Sequence, residues 1–104
     1  MTGRTVRMYA AHRLHVWASA TDDRGFVIEG QDLGRPGMVE YEYSLRVAPA
    51  DVPRVVAALG GQPGDDVLDL LEREGELLVR AGESTWLKSL GLEPEFWSRS
   101  EYED

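Results

Sequence analysis

The stretch Val39 to Val47, read as VEYEYSLRV, constrains this chain more than any other. Val39, Tyr41, Tyr43, Leu45 and Val47 alternate with Glu40, Glu42, Ser44 and Arg46. Successive side chains of a strand point to opposite faces, so this period of two describes a strand with one dry side and one wet side. The dry side needs a cover, and the two helical patterns starting near Asp51 and Asp65 can supply it. The expectation is an α+β domain in which helices lie on one face of an antiparallel sheet.

The chain before this strand repeats the alternation. Val6, Met8, Ala10, Leu14, Val16, Ala18 and Ala20 are small or apolar, whereas Thr5, Arg7, Tyr9, Arg13, His15 and Ser19 are mostly polar. His12 falls on the apolar side and marks the place where one long strand would divide into two. Thr21 to Gly25 (TDDRG) has turn composition, with Gly25 able to take a positive φ, and Phe26 to Gln31 reads as the returning strand. The loop Asp32 to Gly37 then leads into the central strand. A meander of three or four antiparallel strands follows from this pattern.

Pro49 ends the meander. Asp51 is placed to cap a first helix that tolerates Pro53 in its first turn, carries the stripe Val52, Val55, Val56, Leu59, and closes at Gly60-Gly61. Asp65 is placed to cap a second helix bearing Val67, Leu70, Leu71, Leu77 and Leu78, with a bend or an end expected near Glu74 and Gly75. A short third helix is expected from Ser84 to Leu90. Leu92, Phe96 and Trp97 are expected to return to the core, and 98–104 to fray as a polar, acidic tail. The expected core comprises Val16, Phe26, Ile28, Tyr41, Tyr43, Leu45, Val55, Leu59, Leu71 and Leu90.

At 104 residues, the whole reads as a single domain, 1–104, able to bury a core without staples. The absence of cysteine excludes disulfides, thiolate metal sites and cysteine nucleophiles. The N-terminus is broken by Arg4, Arg7, His12 and Arg13, so no leader or membrane span is expected and a cytoplasmic location is the default. The net charge of −8 resides entirely in residues 51–104, because acids and arginines balance in residues 1–50. A field of that sign repels phosphates and argues against nucleic acid as a partner.

Few constellations carry chemistry. His12 and His15 fall on opposite faces of a strand, so no metal is expected there. Asp22-Asp23-Arg24-Gly25 lacks the alternating acids of a calcium loop. No nucleophile elbow, Walker loop or dinucleotide fingerprint is present, no cofactor is implied, no catalytic residue is assigned, and enzyme is the weaker class. Two surfaces stand out as candidate interaction sites. One is the acid stripe Asp65, Asp69, Glu72, Glu76 along the second helix. The other is the wet sheet face, where Trp17 is expected beside Tyr9, His15 and Val27, with the carboxylates Glu40 and Glu42. An exposed tryptophan near tyrosine and arginine is the composition of an interface hot spot, unless the loop from Asp32 to Met38 or the C-terminal segment folds over it.

The segments EGQDLG, VEYEYSLRV, PADVPRVVAALGG and WLKSLGLEPEFWSR resemble those of small uncharacterised proteins from high-GC bacteria, and cover most of residues 28 to 99. A single lysine against ten arginines, with no asparagine, is the codon bias of such a genome. No activity travels with that resemblance. In size, acidity and a β-meander followed by helices, the chain is also similar to immunity proteins, which bind and block toxins. That likeness implies a protein partner, a basic toxin, for a monomer or homodimer that binds neither nucleic acid nor membrane. The rival expectation is a small-ligand binder or enzyme with a pocket between sheet and helices, where Tyr41, Tyr43, His12 and Trp86 converge. A third is a homo-oligomer paired through the wet sheet face.

Overall fold

The computed structural model describes residues 4–33 and 38–102. Four strands run in succession, β1 (Thr5–Ala11), β2 (Leu14–Ala20), β3 (Phe26–Asp32) and β4 (Met38–Val47). A 3-10 turn, Pro49–Asp51, opens a helical segment of α1 (Val52–Ala58), α2 (Val67–Arg73), α3 (Gly75–Ala81) and α4 (Glu83–Ser89). The chain then returns as β5 (Glu95–Tyr102), antiparallel to β4, which completes a five-stranded sheet in the order β1-β2-β3-β4-β5. The α+β class therefore holds, with five strands rather than three or four and four helices rather than two or three. Residues 98–102 belong to β5 and are not a frayed tail.

Turn chemistry sets the meander. His12 and Arg13 both take positive φ, 52° and 65°, forming a two-residue hairpin loop whose twist matches that of the flanking strands. The break expected at His12 is thus the turn itself. In the next turn the positive φ falls on Arg24, at 72°, and not on Gly25. Gly25 is needed for a different reason: a Cβ there would collide with the carbonyl of Val47. Asp23 holds the turn by accepting hydrogen bonds from Gly25 N at 3.1 Å and from the Thr21 hydroxyl.

One sheet face is apolar. Val6, Met8, Val16, Ala18, Phe26, Ile28, Leu45 and Val47 are buried there against Val55, Val56 and Leu59 of the α1 segment, Leu68, Leu70 and Leu71 of α2, Leu78 of α3 and Leu87 of α4. At about 25 cal/mol per Å² of apolar surface removed from water, this interface is the main source of stability. Of the expected core residues, Tyr43 and Leu90 pack only partly buried against the cluster and Tyr41 is half-buried. Phe96 and Trp97 are corrections: both are exposed, at 55% and 51%, because β5 lies at the sheet edge.

A β-bulge in β1 alters the expected faces. Arg7 pairs with Trp17, but the next paired residue, Tyr9, meets Val16. Met8 and Tyr9 therefore both turn inward, and Tyr9 packs against the core instead of lying beside Trp17. The helical segment is docked at the same place. Gly75 is buried on the Met8 backbone, where a Cβ would collide with the carbonyl oxygen and sit 2.6 Å from Met8 Cα. The helix breaks here, as the sequence predicts, with Glu74 at φ −102°. The break also changes the phase of α3, leaving Leu77 64% exposed rather than apolar-side with Leu78. The caps differ slightly from expectation: Asp51 makes no side-chain cap, and Asp66, not Asp65, caps α2 by accepting from Leu68 N at 2.9 Å.

Gly75→Ala separates local from tertiary effects. Alanine favours an isolated helix over glycine by about 1 kcal/mol. Here overpacking against the β1 backbone is expected to outweigh that gain and destabilise the fold by about 1–3 kcal/mol net, seen as a lower urea midpoint.

Candidate functional site

The helices lie on one side of the sheet, so the opposite face is built from the alternate residues of all five strands. Register across the sheet orders them into rows. One row runs Thr5, Ser19, Val27, Arg46, Glu95. The next runs Arg7, Trp17, Glu29, Ser44, Trp97, and the third Ala10, His15, Gln31, Glu42, Arg99. Glu40 and Glu101 pair beyond it. Trp17 on β2 and Trp97 on β5 thus stand three strands apart on one line, with Glu29 and Ser44 between them. They form the walls of an open groove of about 490 Å³, also lined by Gln31 and Glu42, with Thr5 and Ser19 to one side. Trp17 is held in place by His15, whose ring stacks on it with centroids 6.0 Å apart and planes 15° from parallel.

Two carboxyl groups on this face interact with each other. Glu40 and Glu42 are two residues apart on β4, close enough to share a proton. The bond from Glu42, joined by Gln31 Nε2 donating to Glu40 Oε1 at 3.1 Å, holds Glu40 below the usual carboxylate range. Glu42 is raised by the same neighbour and by partial burial, with Arg99 opposing. The two carboxyls thus shift in opposite directions on an otherwise solvated face.

The predicted interaction residues do not form one surface. His15, Trp17, Glu40 and Glu42 come together on the open sheet face, joined by Glu29, Gln31, Trp97 and Arg99, which the sequence reading missed. Tyr9 is excluded by the bulge. The acid stripe is dispersed. Asp65 lies before α2 and accepts from Gln62 N at 2.7 Å, Asp69 pairs with Arg4, which also reaches Asp66 at 2.9 Å, and Glu76, beyond the break, pairs with Arg80 at 2.8 Å within α3. Glu72 stays exposed on α2. Of the loop from Asp32 to Met38, one of the two segments weighed as a cover for Trp17, Asp32 ends β3, Met38 opens β4 and residues 34–37 lie outside the described residues. The other, the C-terminal segment, extends the sheet beside β4 instead of covering it.

The interior offers a different arrangement. Tyr43 lies over Gly30, where a Cβ would strike its ring, and its hydroxyl donates to Glu83 Oε2 at 2.6 Å. Glu83 is buried at the start of α4, and burial raises its pKa, opposed by the bond from Tyr43. Burial likewise pushes the Tyr43 hydroxyl up. These groups satisfy one another across the sheet–helix interface. His12 is exposed in its turn and Trp86 packs against the core, so the four residues of the ligand-pocket expectation do not converge as read. An apolar cleft of about 320 Å³ under the α1–α2 connection, lined by Val52, Val56 and Pro63, has one carboxylate, Asp65, already bonded to Gln62 N. Ligand sites ordinarily combine an apolar wall with several convergent polar groups.

Among the described residues no helix is long and apolar enough to cross a membrane. Comparison with family models, with curated proteins and with solved structures finds no match to this chain.

Two measurements check these electrostatics. Tyr43→Phe leaves the buried Glu83 carboxylate without its donor and is expected to cost about 1.5–3 kcal/mol at neutral pH, read by urea unfolding. Glu83 binds its proton more tightly folded than unfolded. Its stabilising contribution is therefore complete below the ordinary carboxylate pKa and is lost as pH rises through the raised value. Glu83→Gln is expected to flatten that decline. Glu42 has the same sign and Glu40 the opposite one, since the lowered Glu40 contributes above the ordinary range and loses its contribution on acidification. Glu42→Gln keeps a donor for Glu40 and removes the second charge. Carboxyl resonances followed by NMR should show one proton step lost and Glu40 titrating as a single group.

Proposed function

We propose that this protein is a protein-binding module whose open sheet face receives a basic partner, and that its biological role is that of an immunity-type inhibitor acting in the cytoplasm. The observation that carries the reading is the five-stranded face, uncovered among the described residues, where Trp17 and Trp97 flank Glu29, Glu42 lines the same groove and Glu40 lies beyond it. Aromatic anchors surrounded by charge are the composition of interface hot spots, and carboxylates arranged around them steer a basic surface toward the groove. The acidic second half supports the same reading at longer range, since a net −8 field attracts cations before contact. The stripe on α2 and α3 carries less of the argument, because Arg4 and Arg80 neutralise much of it internally. In this mechanism the partner's basic groups meet the Glu40–Glu42 pair and Glu29 while its apolar side chains fill the space between the two indoles. The partner's own active surface is then occluded.

The test is capture of a basic protein from the source cells, identification of the captured chain, and assay of its activity with and without this protein. Trp17→Ala and Trp97→Ala are each expected to weaken binding by about 2 kcal/mol, roughly 30-fold. Glu29→Gln with Glu42→Gln should mainly slow association and reduce its dependence on salt. Capture that is indifferent to all of these substitutions, or a bound partner whose activity is unaffected, would sink the proposal.

A further inference from the structure

β5 is an edge strand that, among the described residues, has β4 on one side and nothing on the other. Such an edge presents a row of unpaired backbone groups and is usually blunted by shortness, proline or inward-pointing charge. This one is eight residues long and carries Phe96 and Trp97, both about half exposed, on opposite faces. We propose that β5 pairs antiparallel with β5 of a second copy of this chain, about a two-fold axis at Trp97, joining two sheets into one of ten strands.

The register follows from charge together with the length of the ladder: an axis at Ser100 also sets Arg99 against Glu101, but it confines the pairing to residues 98–102 and leaves Phe96 and Trp97 outside it. A two-fold axis perpendicular to the sheet keeps each residue on its own face, so it passes through a single residue of β5. An axis at Ser98 sets Glu95 against Glu101 of the copy, and an axis at Arg99 sets arginine against arginine, both unfavourable for directly opposed residues. An axis at Trp97 instead sets Glu95 against Arg99 and Arg99 against Glu95. Because Arg46 is in register with Glu95, and Glu42 with Arg99, the row across the join alternates Arg46, Glu95, Arg99, Glu42 in sign, the last two from the copy. The same axis places the two indoles directly opposite one another on the open face. It also brings the two Phe96 rings into diagonal contact, roughly 7–8 Å between backbones, on the helix side. Pro94 has no N–H to donate and ends the new ladder just before Glu95. The pairing is symmetric and closes at two copies.

The short ladder implies a modest affinity, a dissociation constant between about 1 μM and 1 mM. Sedimentation equilibrium of the wild-type chain should show a reversible approach to twice the 11.6 kDa chain mass. Glu95→Arg and Arg99→Glu each oppose like charges at both symmetric positions, and each alone should weaken the dimer by at least about tenfold. An equimolar mixture of the two variants restores opposite charge at both positions and should dimerise as the wild type does. That rescue is specific to the Trp97 axis, and circular dichroism confirms that each variant is folded before mixing. A wild-type chain that stays monomeric up to roughly 1 mM overturns the proposal, as does a mixture that does not dimerise or single variants that dimerise unaided.

Discussion

The structure depends on the burial of one apolar sheet face under helices that can reach only that face. Phe26, Ile28, Leu45 and Val16 form its centre, and Val55, Leu71, Leu78 and Leu87 close over them with almost no exposed area. All four helices are short and each contributes only one to three buried side chains, so none would be stable alone. They are held by the sheet. The close approach of Gly75 to Met8 fixes where the segment lands, and the Tyr43–Glu83 bond ties α4 to β4. Since the helices are spent on one side, the other side stays open among the described residues. The asymmetry that makes the fold stable also creates its candidate surface.

Electrostatics divide in the same way. Charges on the helical layer tend to be satisfied within the chain, through Arg4 with Asp66 and Asp69 and through Arg80 with Glu76. On the sheet face the carboxyls of Glu40 and Glu42 instead compete with each other, and the nearest relief is Arg99 on the edge strand. Charge repulsion inside a solvated face is a modest cost to the isolated molecule and a reason to welcome a cation.

Much of the fold was legible because its signals are local. The alternation in Val39–Val47 sorted buried from exposed positions, the spacing of Val55, Val56 and Leu59 marked a helix face, and the conflict at Glu74 and Gly75 located a real break. What was hidden depends on distant parts of the chain. Nothing near Tyr9 announces a bulge, and the Gly75 backbone that packs on Met8 at the same place comes from more than sixty residues away. β5 was partly readable: Glu95, Trp97, Arg99 and Glu101 alternate with Phe96, Ser98, Ser100 and Tyr102. Its polar composition and terminal position resembled a tail, and the apolar weight of Phe96 and Trp97 was assigned to a core that β5 lies too far to the side to enter. Missing that strand also hid Trp97 and Arg99, half of what distinguishes the open face.

The placement of β5 also bears on how the molecule is made. β1 to β4 form from neighbouring segments, but β4 receives its second partner only after the entire helical segment has been synthesised. At roughly 5–20 residues per second, the 47 residues between Val47 and Glu95 take on the order of 2 to 10 s to emerge. During that interval the nascent sheet ends at β4, a ten-residue strand paired with β3 on one edge only, with Tyr41, Tyr43 and Leu45 on its apolar side. β5 is therefore a guard on the longer strand β4: when it arrives, the ten-residue edge beside Tyr41, Tyr43 and Leu45 is replaced by an eight-residue edge that carries Glu95, Arg99 and Glu101.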